Sequence, residues 1–399
     1  MHHARPVVAA LLISALTFLA FACGANTENQ SAEEPAKEPP EPTNREATQL
    51  ELTKQETPPP EETVPSNPET AGPVEVETTV LVSGLAAPWG LAFLPNGDAL
   101  VTERDSGRLL SVDRSGEVEE VQQLPEGGTG EGGLLGVAVS PNYESDGLVY
   151  AYYTTAQDNR VVRFRLGEEP ETILTGIPVA SFHNSGRIAF GPDGLLYVGT
   201  GDAGERGTAQ DPNSLGGKIL RLTPGGNVPS DNPFPNNPVY SYGHRNVQGL
   251  AWDENGQLYA SEFGQNTYDE VNRIVPGGNY GWSNVEGTGG EPTYIDPITT
   301  FATREASPSG AEILKNGAIP QWEGNFFTAG LRGQRLWRLA IDESGAVTER
   351  EALLQGEAGR LRHVAQAPDG SLWVLTNNRD GRGTPIQSDD RILRLGPST

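Results

Sequence analysis

The sequence of 399 residues contains a single cysteine, Cys23, so no disulfide bond can form within the chain. Basic residues are also few: 28 Lys and Arg stand against 53 Asp and Glu, and the net charge is −25. Nucleic acids and anionic membrane surfaces are bound through basic patches, so this charge argues against both as partners. No stretch of useful length repeats its apolar residues with a helical period. The 49 Gly and 32 Pro are instead typical of a turn-rich all-β protein with a flexible segment.

Residues 1–22 are predicted to be a signal peptide. Arg5 supplies a positive n-region, and the apolar run from Val7 to Ala22 is short for a membrane-spanning helix, which takes about 20 residues. Ala20-Phe21-Ala22 fits a small-residue cleavage site, so Cys23 becomes the first mature residue, as in a bacterial lipoprotein signal. We therefore expect export to the cell envelope, with a lipid anchor on Cys23 as the only membrane attachment. A plain secretory signal is the alternative.

Residues 23–76 are predicted to form a disordered, extended tether. From Gly24 the composition shifts to Glu, Pro and Thr, with twelve Glu, no Asp and three Lys or Arg, hence a charge of −9. Such a segment has too few apolar residues to bury a core. Setting aside the tether and Arg5 leaves −17 on residues 77–399. The folded part is therefore acidic in its own right, which suits neutral or cationic partners, including divalent metal.

From Thr78 onward one unit recurs: an apolar strand, a Gly-containing turn and a second apolar strand. The six copies are Leu94–Val101, Ser145–Tyr150, Pro192–Tyr197, Glu254–Tyr259, Trp322–Phe327 and Pro368–Trp373. Their spacing of roughly 45 to 70 residues suits four-stranded blades with loop insertions. We therefore predict an all-β fold, a six-bladed β-propeller of four-stranded antiparallel blades over residues 77–399. A strand near Val80 to Val82 and the last strand, Ile392 to Leu395, are candidates to close the ring.

One of these hairpins has a histidine and a carboxylate just outside its two strands, at His183 and Asp202. A hairpin folds its outer ends towards each other, so the two side chains are expected side by side. A His oriented by a carboxylate can remove a proton from a hydroxyl. A His that merely satisfies a loop hydrogen bond is the alternative, and this hairpin alone does not decide between them.

Further motifs follow in order along the predicted propeller: Gly130–Gly136, Ser241–Gly249, Asp269-Glu270 with Asn279–Trp282, Ser307–Gly310, and Arg360-Leu361-Arg362. Together with His183–Asp202 they resemble the soluble quinoprotein glucose/sorbosone dehydrogenase family, especially its aldose sugar dehydrogenase branch. The resemblance runs from about Val80 to Leu395. It implies a six-bladed propeller that oxidises the anomeric hydroxyl of aldose sugars to lactones. Pyrroloquinoline quinone (PQQ), calcium and an external electron acceptor are the implied partners besides the sugar.

The resemblance also implies the roles of individual residues. His183 is the base, Asp202 orients it, and Arg245 stabilises charge that develops in the transition state. The C–H hydride needs an acceptor that no side chain supplies, so a cofactor must provide one. Arg245 and Asn246 are expected to hold a quinone carbonyl and the substrate oxygen. Glu131 stands at a substrate-contacting position.

The three carboxylates of PQQ need guanidinium partners, which bind carboxylates in a bidentate manner. Arg332, Arg360 and Arg362 are the candidates, and Arg360 and Arg362 alternate so that they face the same side of a strand. In an acidic domain such arginines can instead be ordinary ion-pair partners. Near Arg245, His244 is expected to be structural.

Calcium prefers about six to eight oxygen ligands. The resemblance implies one structural site at Glu270 and Tyr280, and a second calcium that bridges PQQ to backbone oxygens of Gly264-Gln265. The sequence departs from the family in three ways: Glu262-Phe263-Gly264-Gln265 replaces Glu-His-Gly-Pro, which removes a proline, Glu131 replaces a Gln, and Arg332 replaces a Lys.

These departures leave two other interpretations open. Glu131, Asp202 and Glu270 could serve a calcium-dependent lactonase-type hydrolase, in which the metal activates water. The altered calcium loop is also compatible with a propeller that binds a ligand without catalysis.

Overall fold

The computed structural model describes residues 72–125 and 128–398. The predicted signal peptide, Cys23 and the predicted tether up to residue 71 lie outside the described residues. The predicted fold class is confirmed, because the described strands form six separate four-stranded antiparallel sheets, each one blade of a propeller.

Strands are numbered in chain order, starting with β1 at Val76–Ser83. The first blade contains β2 Pro88–Phe93, β3 Ala99–Glu103, β4 Arg108–Val112 and β5 Val118–Gln123. The second contains β6 Leu134–Val139, β7 Val149–Thr154, β8 Asn159–Phe164 and β9 Glu171–Ile177. The third contains β10 Ile188–Phe190, β11 Leu196–Gly199, β12 Lys218–Leu222 and β13 Val239–Tyr242.

The second half of the ring repeats this arrangement. The fourth blade contains β14 Val247–Trp252, β15 Leu258–Glu262, β16 Tyr268–Arg273 and β17 Thr299–Ala302. The fifth contains β18 Pro308–Ile313, β19 Phe326–Gly330, β20 Arg335–Ile341 and β21 Val347–Leu353. The sixth contains β22 Leu361–Gln366, β23 Leu372–Thr376, β24 Arg391–Pro397 and, from the other end of the chain, β1.

Helix is almost absent from the described ranges. One four-residue α-helix, α1 at Tyr143–Asp146, and two 3₁₀ turns at Arg206–Ala209 and Pro320–Trp322 interrupt the loops. None of these segments has the length or apolar character that crossing a membrane requires.

All six predicted hairpins are observed, and each joins the first and second strands of its blade. In the turn between β10 and β11, Gly191 and Leu195 form a backbone hydrogen bond of 2.9 Å, and Gly194 has φ of +73°. The turn between β22 and β23 repeats this with Gly370 at φ +79°. Such left-handed backbone favours glycine, which explains why a Gly recurs in every copy of the unit.

The ring is closed by the first and last described strands, as predicted. β1 pairs with β24 in antiparallel register, with Val80 opposite Leu393 and Val82 opposite Ile392. The first and last segments of the domain thus share one sheet, and β1 begins one residue before the predicted boundary. Apolar side chains from facing sheets pack between the blades. One such cluster joins Tyr152 of β7 to Ile188 of β10 and Val198 of β11, each almost fully buried.

This topology determines where a site can form. The first strands of the blades contact one another around the centre, as β2 with β6, β14 with β18 and β18 with β22 do. Because strands alternate in direction, the loops entering each first strand lie at the same edge as the loops that follow each second strand. The six hairpin turns lie at the opposite edge. The residues at the loop-bearing edge form the cavity described next.

Candidate active site

A cavity of about 660 Å³ opens at this edge of the propeller. Its lining comes from loops of several blades: Glu131 and His183 precede first strands, whereas Gly264 and Arg332 follow second strands. Eight of the predicted site residues line the cavity: Glu131, His183, Arg245, Gly264, Gln265, Arg332, Arg360 and Arg362. Asp202, Asn246, Glu270 and Tyr280 are not part of its surface.

His183 and Asp202 lie side by side at the outer ends of the β10–β11 hairpin. Nδ1 of His183 is 2.6 Å from Oδ1 of Asp202. The carboxylate is almost fully buried, whereas the imidazole borders the cavity. An ionised carboxylate can only accept a hydrogen bond, so its partner Nδ1 carries the hydrogen. Nε2 of the neutral imidazole is then left with a lone pair. This is the tautomer that a general base at Nε2 requires.

Asp202 has two further donors. The indole Nε1 of Trp282 donates to Oδ2 at 2.8 Å, and the backbone N–H of Gly204 donates to Oδ1 at 2.9 Å. Burial alone would raise the pKa of Asp202, but the hydrogen bonds from His183, Gly204 and Trp282 hold that pKa below its ordinary value. Asp202 is therefore charged at neutral pH, and its charge stabilises a protonated His183.

Arg245 reaches the same group of side chains from the loop between β13 and β14. Its guanidinium carbon lies 5.3 Å from the Trp282 ring centroid, within cation–π range. Its backbone N–H donates to Glu262 at 2.9 Å, while its buried Nε has no hydrogen-bond partner within the described residues. Burial lowers the pKa of Arg245. A cation with an unused donor beside the His–Asp pair suits an anionic or polarised ligand.

The charged lining of the cavity is cationic although the domain is acidic. Six arginines border the space, against three carboxylates. The arginines are Arg104, Arg245, Arg332, Arg360, Arg362 and Arg382, and the carboxylates are Glu131, Asp269 and Asp380. The lining of the cavity thus has an excess of three positive charges, although the domain has a net charge of −17.

Arg360 and Arg362 both face the cavity, as their alternation predicts. Arg360 donates Nε and Nη2 to Asp380 at 2.9 and 2.7 Å. Arg362 has only long hydrogen bonds, of 3.3 to 3.4 Å, to Asn377, Gln248 and a serine hydroxyl. Burial lowers the pKa of Arg362 to about 9. A buried guanidinium held this loosely retains donor capacity for a carboxylate ligand.

Glu131 serves the protein itself as well as the cavity. Its Oε2 accepts the backbone N–H of His183 at 3.0 Å, and its Oε1 pairs with Nη2 of Arg382 at 2.6 Å. His183 has φ of +57°, which is unusual for a residue with a side chain. The carboxylate therefore helps to fix the backbone of the candidate base. Glu131 stands where a Gln was expected, but its negative charge is offset by the positive charge of Arg382. The substitution therefore adds less net charge to the cavity than the sequence suggests.

His244 and Asn246, which flank Arg245, are both buried but differ in their hydrogen bonding. His244 is fully buried, bonds to Ser241 at 2.8 Å and Glu262 at 2.9 Å, and stacks on Tyr280, so its predicted structural role is observed. Asn246 is also fully buried, and neither amide atom has a partner among the described residues. It does not border the cavity, so the structure does not bring it to the substrate-contacting position that the resemblance implies.

A second, much smaller cavity lies next to the first. Its lining includes Glu262, Glu270 and Tyr280. Asn272 Nδ2 donates to both carboxylates, at 2.7 Å to Glu262 and 3.2 Å to Glu270. Burial, followed by the nearby charge of Glu262, raises the pKa of Glu270 to about 8. Two buried carboxylates that share one amide suit a cation, and Glu270 is one of the two.

Tyr280 contributes to this small cavity by position rather than by its hydroxyl. The hydroxyl donates to the Arg273 carbonyl at 2.7 Å and accepts the Val275 N–H at 2.9 Å. Only the backbone oxygen of Tyr280 remains as a metal ligand. No group of three or more His, Cys, Asp or Glu side chains in residues 72–125 and 128–398 has metal-binding geometry. Calcium ligands would therefore come largely from main-chain oxygens, which Ca²⁺ accepts.

Several residues at the site escape sequence reasoning. Trp282, Asp380, Arg382 and Glu286 all contact predicted site residues or their loops. Trp282 stands within the Asn279–Trp282 motif and could have been found there. Lys218 is another: it is fully buried, and Nζ donates to the carbonyls of Thr208, Ala209 and Gly216. These hydrogen bonds fix the conformation of the loop that follows Asp202.

The fold is a six-bladed propeller, and a histidine–carboxylate pair lies beside its arginine-lined cavity. These features define a class of ligand-binding propeller that is suited to acid–base chemistry on a small molecule. The chain belongs to the Glucose / Sorbosone dehydrogenase family, whose model matches residues 85–393.

Individual relatives agree with this family. The PQQ-bound aldose sugar dehydrogenase of Streptomyces coelicolor is 50% identical, with a TM-score of 0.76, and the match covers 82% of this chain and 100% of that one. The aldose sugar dehydrogenase YliI of Escherichia coli is 31% identical over 78% of this chain and 92% of its own. The quinoprotein glucose dehydrogenase B of Acinetobacter calcoaceticus is 29% identical over 78% and 86%.

Proposed function

We propose that this protein is a PQQ- and calcium-dependent aldose dehydrogenase that converts sugars to lactones. The observation that carries the proposal is the His183–Asp202 pair at 2.6 Å, bordering a cavity in which six arginines face three carboxylates. The excess of positive charge matches the three carboxylates of PQQ. The family and the PQQ-bound relative from S. coelicolor support the same conclusion.

The chain's own residues perform the acid–base half of the reaction. Nε2 of His183 takes the proton of the anomeric hydroxyl, and Asp202 stabilises the imidazolium that forms. The Arg245 guanidinium stabilises negative charge developing on the substrate oxygen. PQQ, when bound, supplies the acceptor for the C–H hydride, and an external acceptor later removes the electrons.

The donor set fits PQQ. Arg332, Arg360 and Arg362 border one continuous space, and Arg245 contributes a buried Nε that lacks a partner among the described residues. Arg332 is exposed and forms no ion pair within the described part of the chain. Gly264 and Gln265 border the same space, and their backbone carbonyls would hold the calcium ion.

The test is reconstitution of the purified domain with PQQ and calcium chloride, followed by dye reduction with a panel of aldoses. Turnover with aldoses is expected, as is saturable PQQ binding measured by quenching of tryptophan fluorescence. The absence of both would refute the proposal.

The hydrolase interpretation finds less support. It needs Glu131, Asp202 and Glu270 to serve one metal, but they are engaged separately by Arg382, by His183 and by Asn272. Lactone hydrolysis that depends on calcium and not on PQQ would favour it. A non-catalytic propeller would bind PQQ or sugar without turnover, and the same assays distinguish that outcome.

We also propose that the protein is exported and attached to the membrane through a lipid on Cys23. The support is the apolar run Val7–Ala22 followed by a small-residue cleavage site. Metabolic labelling with a fatty acid is expected to tag the wild-type chain and not a Cys23→Ser variant. Equal labelling of both would exclude the anchor.

A further inference from the structure

Glu286 holds the turn that forms one wall of the cavity. Its Oε1 lies within hydrogen-bond distance of four consecutive backbone N–H groups: Gln265 at 2.6 Å, Asn266 at 3.0 Å, Thr267 at 3.1 Å and Tyr268 at 3.3 Å. A carboxylate oxygen is a strong acceptor for such backbone donors.

The turn lies between the two cavities. Gly264 and Gln265 border the large cavity, while Gly264 and Glu286 border the small one. The backbone N–H of Gly264 donates to Asp269 at 3.0 Å, which fixes the start of the turn. On its outer side Asn266, Thr267 and Tyr268 are exposed, so little packing holds them. Glu286 supplies most of the hydrogen bonds on this side, where Thr303 Oγ1 also donates to the Asn266 carbonyl at 3.3 Å.

The next residue extends the connection. The backbone N–H of Gly287 donates to Oε1 of Glu270 at 2.7 Å. The dipeptide 286–287 thus contacts both the turn beside the large cavity and the buried carboxylate of the small one. Movement of this dipeptide would displace both.

Gln265 is itself one of the four donors. A proline, which the resemblance would place at position 265, has no N–H and a restricted φ, so it stiffens a turn without a partner. In this chain the turn is stiffened in a different way, because the hydrogen bond from the Gln265 N–H to the Glu286 carboxylate takes the place of a proline ring.

We propose that Glu286 is a positioning residue that pre-forms the 264–268 turn and thereby holds Gly264 and Gln265 at the wall of the large cavity. The inference rests on the proposed function in one respect only, the identity of the ligand beside the turn, which would be a calcium ion next to PQQ. The order of the turn is a property of the protein without cofactor.

The experiment compares Glu286→Ala, Glu286→Gln, Gln265→Pro and the double variant Glu286→Ala/Gln265→Pro. Glu323→Ala is the matched control, because Glu323 accepts the N–H groups of Asn316 at 2.7 Å and Gly317 at 3.2 Å in a turn outside both cavities. Thermal unfolding first establishes that each variant is folded.

Hydrogen–deuterium exchange of the cofactor-free proteins is the first measurement. In Glu286→Ala the amides of residues 266–268 are expected to exchange about tenfold faster or more, on the scale of a hydrogen bond to a charged group. Glu286→Gln is intermediate, and the double variant returns towards the wild-type rate because proline restricts the turn. Glu323→Ala leaves residues 264–268 unchanged. Unaltered exchange in Glu286→Ala would overturn the proposal.

The PQQ concentration for half-saturation, with calcium chloride in excess, is the second measurement. Glu286→Ala is expected to raise it about tenfold, and adding Gln265→Pro is expected to reverse most of that rise. Faster exchange with unchanged half-saturation would overturn the positioning role. If the wild-type protein itself binds no PQQ, the proposed function fails, and the exchange rates alone decide whether Glu286 holds the turn.

Discussion

The indole of Trp282 donates to the carboxylate of Asp202 at 2.8 Å, although the two residues are 80 positions apart in the chain. The same ring lies under the Arg245 guanidinium, so a single side chain contacts both the orienting carboxylate and the cation of the site. Trp282 does not border the large cavity and acts through its neighbours.

Trp282→Phe is expected to lower kcat about ten- to a hundredfold, the range for a lost hydrogen bond to a charged group. The Asp202 carboxylate loses a donor, so its pKa rises and the acid limb of the kcat–pH profile moves to higher pH. Trp337→Phe is the control, because Trp337 donates to the Glu305 carbonyl and does not border the cavity. An unmoved acid limb in Trp282→Phe would contradict the role given to the indole.

His183→Gln is expected to reduce turnover by about 10²- to 10⁴-fold, the usual contribution of a general base. PQQ binding should remain close to wild type, because the proposed cofactor donors are arginines. Asp202→Asn should also lose most activity, since a neutral amide cannot stabilise the imidazolium. Steady-state kinetics and fluorescence titration separate the two effects. Loss of PQQ binding together with activity in His183→Gln would argue that the histidine holds the cofactor instead.

Glu270 is expected to make stability depend on pH and, if it holds the proposed ion, on calcium. Its pKa is raised from 4.5 to about 8, so between these values the unfolded chain has released a proton that the folded protein retains. The resulting stabilisation is fully present below pH 4.5 and is lost as pH rises through 8. The Tm of the metal-free protein should therefore fall as pH rises towards 8.

Calcium should reverse this fall, because it neutralises the ionised Glu262–Glu270 pair. The increase in Tm on adding calcium is expected to be larger at pH 8 than at pH 5, as measured by differential scanning fluorimetry. Glu270→Gln should flatten the pH dependence and remove most of the calcium effect. A calcium effect that is equal at both pH values and unaffected by Glu270→Gln would rule out a site at this residue.

Glu131 combines a hydrogen bond to a backbone amide with an ion pair, and variants separate the two. Glu131→Gln keeps an acceptor for the His183 N–H and loses only the partner charge of Arg382, so kcat should change less than about threefold. Glu131→Leu loses both, and kcat should fall about tenfold. Arg382→Gln should match Glu131→Gln. Equal losses in Gln and Leu variants would show that charge rather than the amide contact matters at position 131.

The repeated hairpins could be predicted because their signals are local. A turn such as Pro192-Asp193-Gly194 and the apolar residues beside it specify one strand pair, and six copies specify the ring. The adjacency of His183 and Asp202 follows from the same hairpin. Contacts between blades could not be predicted in this way. Glu131 and Arg382 are 251 positions apart, and nothing near either residue indicates the other.

Two residues that the sequence proposed as ligands do not border the large cavity. The Tyr280 hydroxyl is satisfied by backbone groups, and Asn246 is buried away from the cavity. Residue type and spacing do not reveal which way such side chains point, because burial is decided by neighbouring blades.

The pairing of β1 with β24 has a consequence for synthesis and turnover of the protein. The residues that line the cavity extend along the chain from Trp89 to Arg382, so no shorter fragment contains it. During translation the last blade lacks its completing partner until the C-terminal strand emerges, and non-local pairing of this kind forms late. The ring that carries the binding site is therefore closed only when β1 and β24 have paired. A protease that removes either terminal strand would open the ring and abolish the site without cutting any residue that borders it.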